Sequence, residues 1–82
     1  MLPWEKTKFK LEELLEKLLI LQNEDKEIET IGNVILLNII VCKNIGLIPK
    51  KEEAEIAWKT VELEFQELLS DLNEFFKYKK IT

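Results

Sequence analysis

Between Pro49 and Tyr78 the apolar residues Ala54, Ala57, Trp58, Val61, Phe65, Leu68, Leu69, Leu72, Phe75 and Phe76 follow one another at steps of one, three or four, with no Gly or Pro among them. That spacing lines one face of an α-helix and fits no strand. At the standard rise, such a helix over residues 49–78 is roughly 45 Å long. The rest of the chain must therefore pack along a single greasy rod. Ser70-Asp71 has the chemistry to cap a separate short helix, but the stripe crosses that point in phase, and one continuous helix is expected. Pro49 is suited to its first turn, where a missing N–H costs nothing.

Two further helices precede it. From Trp4 to Leu21 no breaker occurs, Leu, Glu and Lys dominate, and Trp4, Leu11, Leu14, Leu15, Leu18 and Leu21 share a stripe. This gives a helix over about 4–22. Gln22-Asn23-Glu24-Asp25-Lys26 is the expected first turn, with Asn23 or Asp25 capping the next helix. In residues 25–45, Ile28, Ile31, Ile35, Ile39 and Cys42 share a helical face, yet residues 34–42 are apolar nearly all round. Their Val and Ile content allows a buried strand with a Gly32-Asn33 turn, but Lys26–Thr30 is a poor alternating partner. A central helix buried on most sides is the expectation. At its end Gly46 is expected in the left-handed conformation with Leu47 closing over the last turn. The fold expected is an all-α, antiparallel three-helix bundle, helices about 4–22, 25–45 and 49–78, forming a single domain over residues 1–82.

Composition removes most chemistry. The chain has no His and, its 12 basic residues all being Lys, no Arg. Imidazole bases, His metal ligands and guanidinium forks for phosphate or guanine are therefore excluded. The net charge of −4 is spread along the chain without a basic tail, which argues against nucleic acid as a general partner. The lone Cys42 can form no internal disulfide, and Met1–Lys6 opens no signal peptide, so the expected location is cytoplasmic. The abundance of Lys, Ile, Asn and Phe is what an AT-rich coding sequence favours.

Each chemical-looking feature has a plainer reading. The carboxylates Glu52, Glu53, Glu55, Glu62, Glu64, Glu67, Asp71 and Glu74 read as a solvated helix face; only Glu64 and Asp71 border the stripe, and helix-borne dimetal sites add Glu-x-x-His motifs that this chain lacks. Ser70 has no base, and Cys42 lies in an apolar run that raises rather than lowers a thiol pKa. Gly32 and Gly46 are too isolated to cradle a phosphate. Neither enzymatic activity nor a cofactor nor a metal is expected. Residues 41–55 carry the small residue, glycine and apolar flanks of a helix-turn-helix, but Lys50-Lys51-Glu52-Glu53-Ala54-Glu55 would turn acids toward phosphates. Lys77-Tyr78-Lys79-Lys80 reads as a helix C-terminus offsetting its dipole. A membrane-associated role for residues 31–48 is opposed by Asn33, Asn38, Lys43 and Asn44, which are expected to interrupt any spanning window.

What remains is surplus apolar surface. Leu37, Ile40 and Val41 form a second face of helix two, Ile56 and Leu63 lie opposite the stripe of helix three, and Phe9 and Ile20 lie opposite that of helix one. With an overlong third helix rich in Trp58, Phe65, Phe75 and Phe76, these residues point to a partner or dimer interface. A homodimer is the simplest way to cover it. The function expected is a non-enzymatic protein–protein interaction module acting by helix-face docking, of the inhibitor, antitoxin, immunity or accessory-factor type, encoded by a virus or plasmid. The alternatives are a DNA-binding regulator using residues 41–55 and a membrane-associated protein using residues 31–48; neither nucleic acid nor membrane is the expected partner.

Overall fold

A computed structural model describes residues 1–20 and 26–79, which form three helices: α1 (Pro3–Ile20), α2 (Lys26–Gly46) and α3 (Lys51–Tyr78). Residues 34–42 are helical, so the strand alternative falls away, and α3 passes Ser70-Asp71 unbroken. Its 28 residues correspond to about 42 Å at the standard rise, which matches the longest dimension of the molecule, 41 Å. Pro3 opens α1, and Lys6 N–H reaches the Leu2 carbonyl at 3.0 Å. The expected end of helix one at residue 22, the turn at 22–26 and the Asn23 or Asp25 cap lie outside the described residues, apart from Lys26, which is already helical.

The helices alternate in direction. Trp4 at the start of α1 lies beside Gly46 at the end of α2, while Leu18 near the end of α1 lies beside Gly32 near the start of α2. At the far end of α3, Lys79 Nζ sits 3.7 Å from Glu27 Oε2 on the first turn of α2. The pair is partly exposed and contributes little, at most about 1 kcal/mol, but it shows α3 returning along α2. The result is the expected antiparallel three-helix bundle.

One continuous apolar cluster fills the interior. α1 supplies Trp4, Leu11, Leu14 and Leu18; α2 supplies Ile28, Ile35, Ile39, Cys42 and Ile45; α3 supplies Ala54, Trp58, Phe65, Leu72 and Phe76. No charged or polar residue is buried among the described ones. α1 and α2 approach each other more closely than either approaches α3. The side chains explain this: the hydrogen of Gly32 lets α2 come against Leu18, where a Cβ would already touch at 3.4 Å, whereas α3 is held off by Trp58, Phe65 and Phe76. Trp58 and Phe65 stack with ring centroids 5.3 Å apart, and Phe75 meets Phe76 edge to face at 5.6 Å.

Three local expectations are corrected. Helix three starts at Lys51 rather than Pro49, because Lys50 is extended (φ −91°, ψ 121°) and serves as N-cap without a side-chain hydrogen bond. Pro49 thus belongs to the connector, where its ring favours an extended Ile48. Gly46 is not left-handed; it is the last helical residue of α2. Leu47 and Ile48 satisfy the final carbonyls with short turns, Leu47 N–H to Lys43 and Asn44 and Ile48 N–H to Ile45, each at 3.1 Å. Leu47 does not close over the helix but stands exposed. The glycine instead leaves room for Trp4, whose ring lies 3.6 Å from where a Cβ would sit. Gly46→Ala therefore makes an ordinary contact and gains helix propensity, and we expect stability to rise by roughly 0.5 kcal/mol. A left-handed glycine would give a loss of about 1 kcal/mol instead; urea denaturation separates the two signs.

Third, α2 is not buried on most sides. Its core face is covered, but Val34, Leu36, Leu37, Ile40 and Val41 all face outward. A three-helix bundle gives each helix two neighbours, and among the described residues no fourth element covers this one.

Candidate functional site

The exposed apolar residues are not evenly distributed. On α3 the outward pair Ile56 and Leu63, each 66 % exposed, is separated by two turns and set among Glu52, Glu55, Lys59 and Thr60. On α1, Phe9, Leu19 and Ile20 are exposed but scattered. Among the described residues, only on α2 do outward apolar residues adjoin one another through two successive turns, from Val34 to Val41, with Leu37 the most prominent at 62 % exposed. Such a face covers a few hundred Å², the size at which an exposed patch on a small protein usually has a use.

The polar group inside this stretch is neutralised locally. Asn38 donates its side-chain N–H to the Val34 carbonyl at 2.8 Å, so the amide folds back on its own helix. Thr60 does the same with the Ile56 carbonyl at 3.0 Å on α3. The α2 face is bounded toward its N-terminus by Glu29, Thr30 and Asn33, and toward its C-terminus by Lys43 and Asn44, all exposed.

The residues expected at an interface divide into two groups. Leu37, Ile40, Val41, Ile56 and Leu63 are on the outside. Trp58, Phe65 and Phe76 are not: all three are 6 % exposed or less, and Phe75 is half-buried against the same core. The large rings of α3 hold the bundle together, filling the space between α3 and the more closely packed pair α1 and α2. Val34 and Leu36 are the members of the outer face that sequence reading passed over; their place in the run 34–42, apolar but for Asn38, was the signal.

Elsewhere the geometry is unreactive. Cys42 is 1 % exposed, at the floor of a groove lined by Trp4, Glu5, Lys8, Lys43, Gly46 and Leu47. Burial pushes its thiol from the ordinary value of 9.0 up to about 11, against a smaller lowering by the Lys8 ammonium. A thiol so placed is a poor nucleophile at neutral pH. Glu64 and Asp71, the carboxylates bordering the stripe, are exposed, and among the described residues no three His, Cys, Asp or Glu side chains come together as a metal site. Residues 41–55 cover the end of α2, the connector and the first turn of α3.

One expectation about membranes needs correction. By length and composition α2 is apolar enough to cross a bilayer: Asn33, Asn38, Lys43 and Asn44 do not outweigh the dense Ile, Leu and Val between them. Its other face, however, supplies Ile28, Ile35, Ile39, Cys42 and Ile45 to the bundle interior.

The fold and this face together define a small helical bundle with an apolar helix surface that no described element covers. Compared with known proteins, the chain matches no family model, no curated protein and no solved structure.

Proposed function

We propose that this protein works by helix-face docking, as a non-enzymatic protein–protein interaction module of the inhibitor, antitoxin, immunity or accessory-factor kind. The observation that carries the reading is the outer face of α2, where Val34, Leu36, Leu37, Ile40 and Val41 meet solvent together. Burying that face removes apolar area from water at about 25 cal/mol per Å², and the surrounding Glu29, Lys43 and Asn side chains set register. The docking surface lies on α2 rather than on the aromatics of α3, because those rings already face the interior.

The competing reading is docking of the same helix on a membrane, favoured by its composition. To insert, α2 would have to withdraw its core face from Leu11, Leu14 and Phe65, exposing them in turn. A protein partner requires no such rearrangement.

Leu37→Glu is the decisive variant. The side chain is exposed, so the bundle keeps its core and its helical circular dichroism, while a charge is set in the middle of the face. We expect affinity-tagged wild-type protein to retain a specific binding protein, foreign or an untagged copy of itself, and the variant to lose at least tenfold of that retention. Equal retention by both would remove α2 from the interaction, and flotation of the wild type with lipid vesicles would replace the reading with the membrane one.

A further inference from the structure

Resting on that reading, we propose that the occupant of the α2 face is a second copy of this chain, the two α2 helices packing antiparallel across a two-fold axis. The centre line of the outer face is formed by Asn33, Leu37, Ile40 and Asn44, at steps of four, three and four, all exposed. These steps keep the four side chains in one row down the helix. The row reads polar, apolar, apolar, polar from either end. In an antiparallel pair Leu37 of one copy therefore meets Ile40 of the other, and Asn33 meets Asn44. An amide both donates and accepts, so two facing amides satisfy each other.

The charges choose the direction. Glu29 and Lys43 lie on the same flank of the row, at opposite ends of the apolar stretch and about four turns apart. In that antiparallel register Glu29 lies level with Ile48 of the other copy, five residues or about 7.5 Å along the axis from the other copy's Lys43, an offset that the two extended side chains span, twice by symmetry. Parallel packing leaves the two Glu29 at one level and the two Lys43 at another, on opposite sides of the interface, so no acid comes near a cation, and it also aligns the two helix dipoles unfavourably. A bilayer would be served better by a wholly cationic rim; here Glu29 offsets Lys43 on the rim, and the chain carries a net charge of −4.

The area sets the strength. A standard interface takes about 800 Å² from each partner, more than this face offers. The dimer is accordingly weak and concentration-dependent, with a dissociation constant in about the micromolar range or above it.

The test is sedimentation equilibrium on the full chain from about 10 μM to about 1 mM, with disulfide trapping. Wild type shifts from monomer toward dimer across that range, and Leu37→Glu stays monomeric with unchanged helicity. Asn33→Cys mixed with Asn44→Cys gives a disulfide-linked dimer under mild oxidation, while each single variant alone does not; Cys42, being buried, does not compete. Cross-linking of Asn33→Cys to itself as readily as to Asn44→Cys overturns the antiparallel arrangement. A wild-type monomer throughout overturns the second copy altogether. In that event a purified foreign partner bound by wild type and lost with Leu37→Glu preserves the docking reading, whereas vesicle binding lost with Leu37→Glu removes both.

Discussion

Phe65→Ala is expected to remove about 3–5 kcal/mol of folding stability. The ring is 3 % exposed, sits midway along α3 and stacks on Trp58 at 5.3 Å. Three losses coincide in the truncation: the transfer energy of the ring, the aromatic contact of about 0.5–1.5 kcal/mol, and the space left behind. Collapse cannot fill that space easily, because α3 stands off from α1 and α2 on its large side chains. A chain of 82 residues has only about 4–12 kcal/mol in total, so this one change consumes much of the margin. Urea denaturation should show a fall in midpoint at unchanged slope, or a chain unfolded at room temperature. Ile56→Ala on the outer side of the same helix is the internal comparison, with an expected change within about 0.5 kcal/mol. Similar losses at both positions would mean that the α3 stripe does not face the core.

The second large effect is a loss of stability in alkali through Cys42. The thiol is raised in the folded chain, from 9.0 to about 11, by burial. The folded state therefore holds its proton where the unfolded state has released it, and stability falls as pH rises. The contribution is fully present below about pH 9 and is lost progressively up to about pH 11. Two pH units at about 1.4 kcal/mol each amount to roughly 3 kcal/mol. The measurement is a difference, so that only the thiol's share is read: denaturation of wild type and Cys42→Ala at several pH values between about 8 and 11. The wild-type curve should fall more steeply than that of the variant, even though the variant starts lower for want of the sulfur. Parallel curves would show that Cys42 is not shielded from water. The same burial predicts slow alkylation of the native protein at neutral pH and rapid alkylation once it is unfolded.

Much of this molecule is legible in its sequence, and the illegible part has a common cause. The stripe from Ala54 to Phe76 settled the length and inner face of α3, since all ten of its members are buried or half-buried. In α1, Trp4, Leu11, Leu14 and Leu18 were equally readable, because polar residues separate them from the opposite side. Residues 34–42 carry no such contrast. Spacing still placed Ile35, Ile39 and Cys42 on one face and Leu37, Ile40 and Val41 on another, but with apolar residues nearly all round it could not say that the second face stays in solvent, which the positions of α1 and α3 decide. The same holds for the interface aromatics. Trp58, Phe65 and Phe76 looked surplus because α3 is longer than its neighbours, and they became core because α3 packs onto α1 and α2 through these rings.

Gly46 draws the line most sharply. Its identity marked a helix end, correctly to within one residue, but not its conformation. A glycine is permitted a left-handed backbone without being obliged to adopt one, and here the tryptophan from the other end of α1 occupies the room. Helix formation follows from neighbours three and four positions apart along the chain, so the order of residues alone decided it. Which apolar side chains face inward, and which face is left for company, depends on side chains tens of positions away, and that only the packed bundle decided.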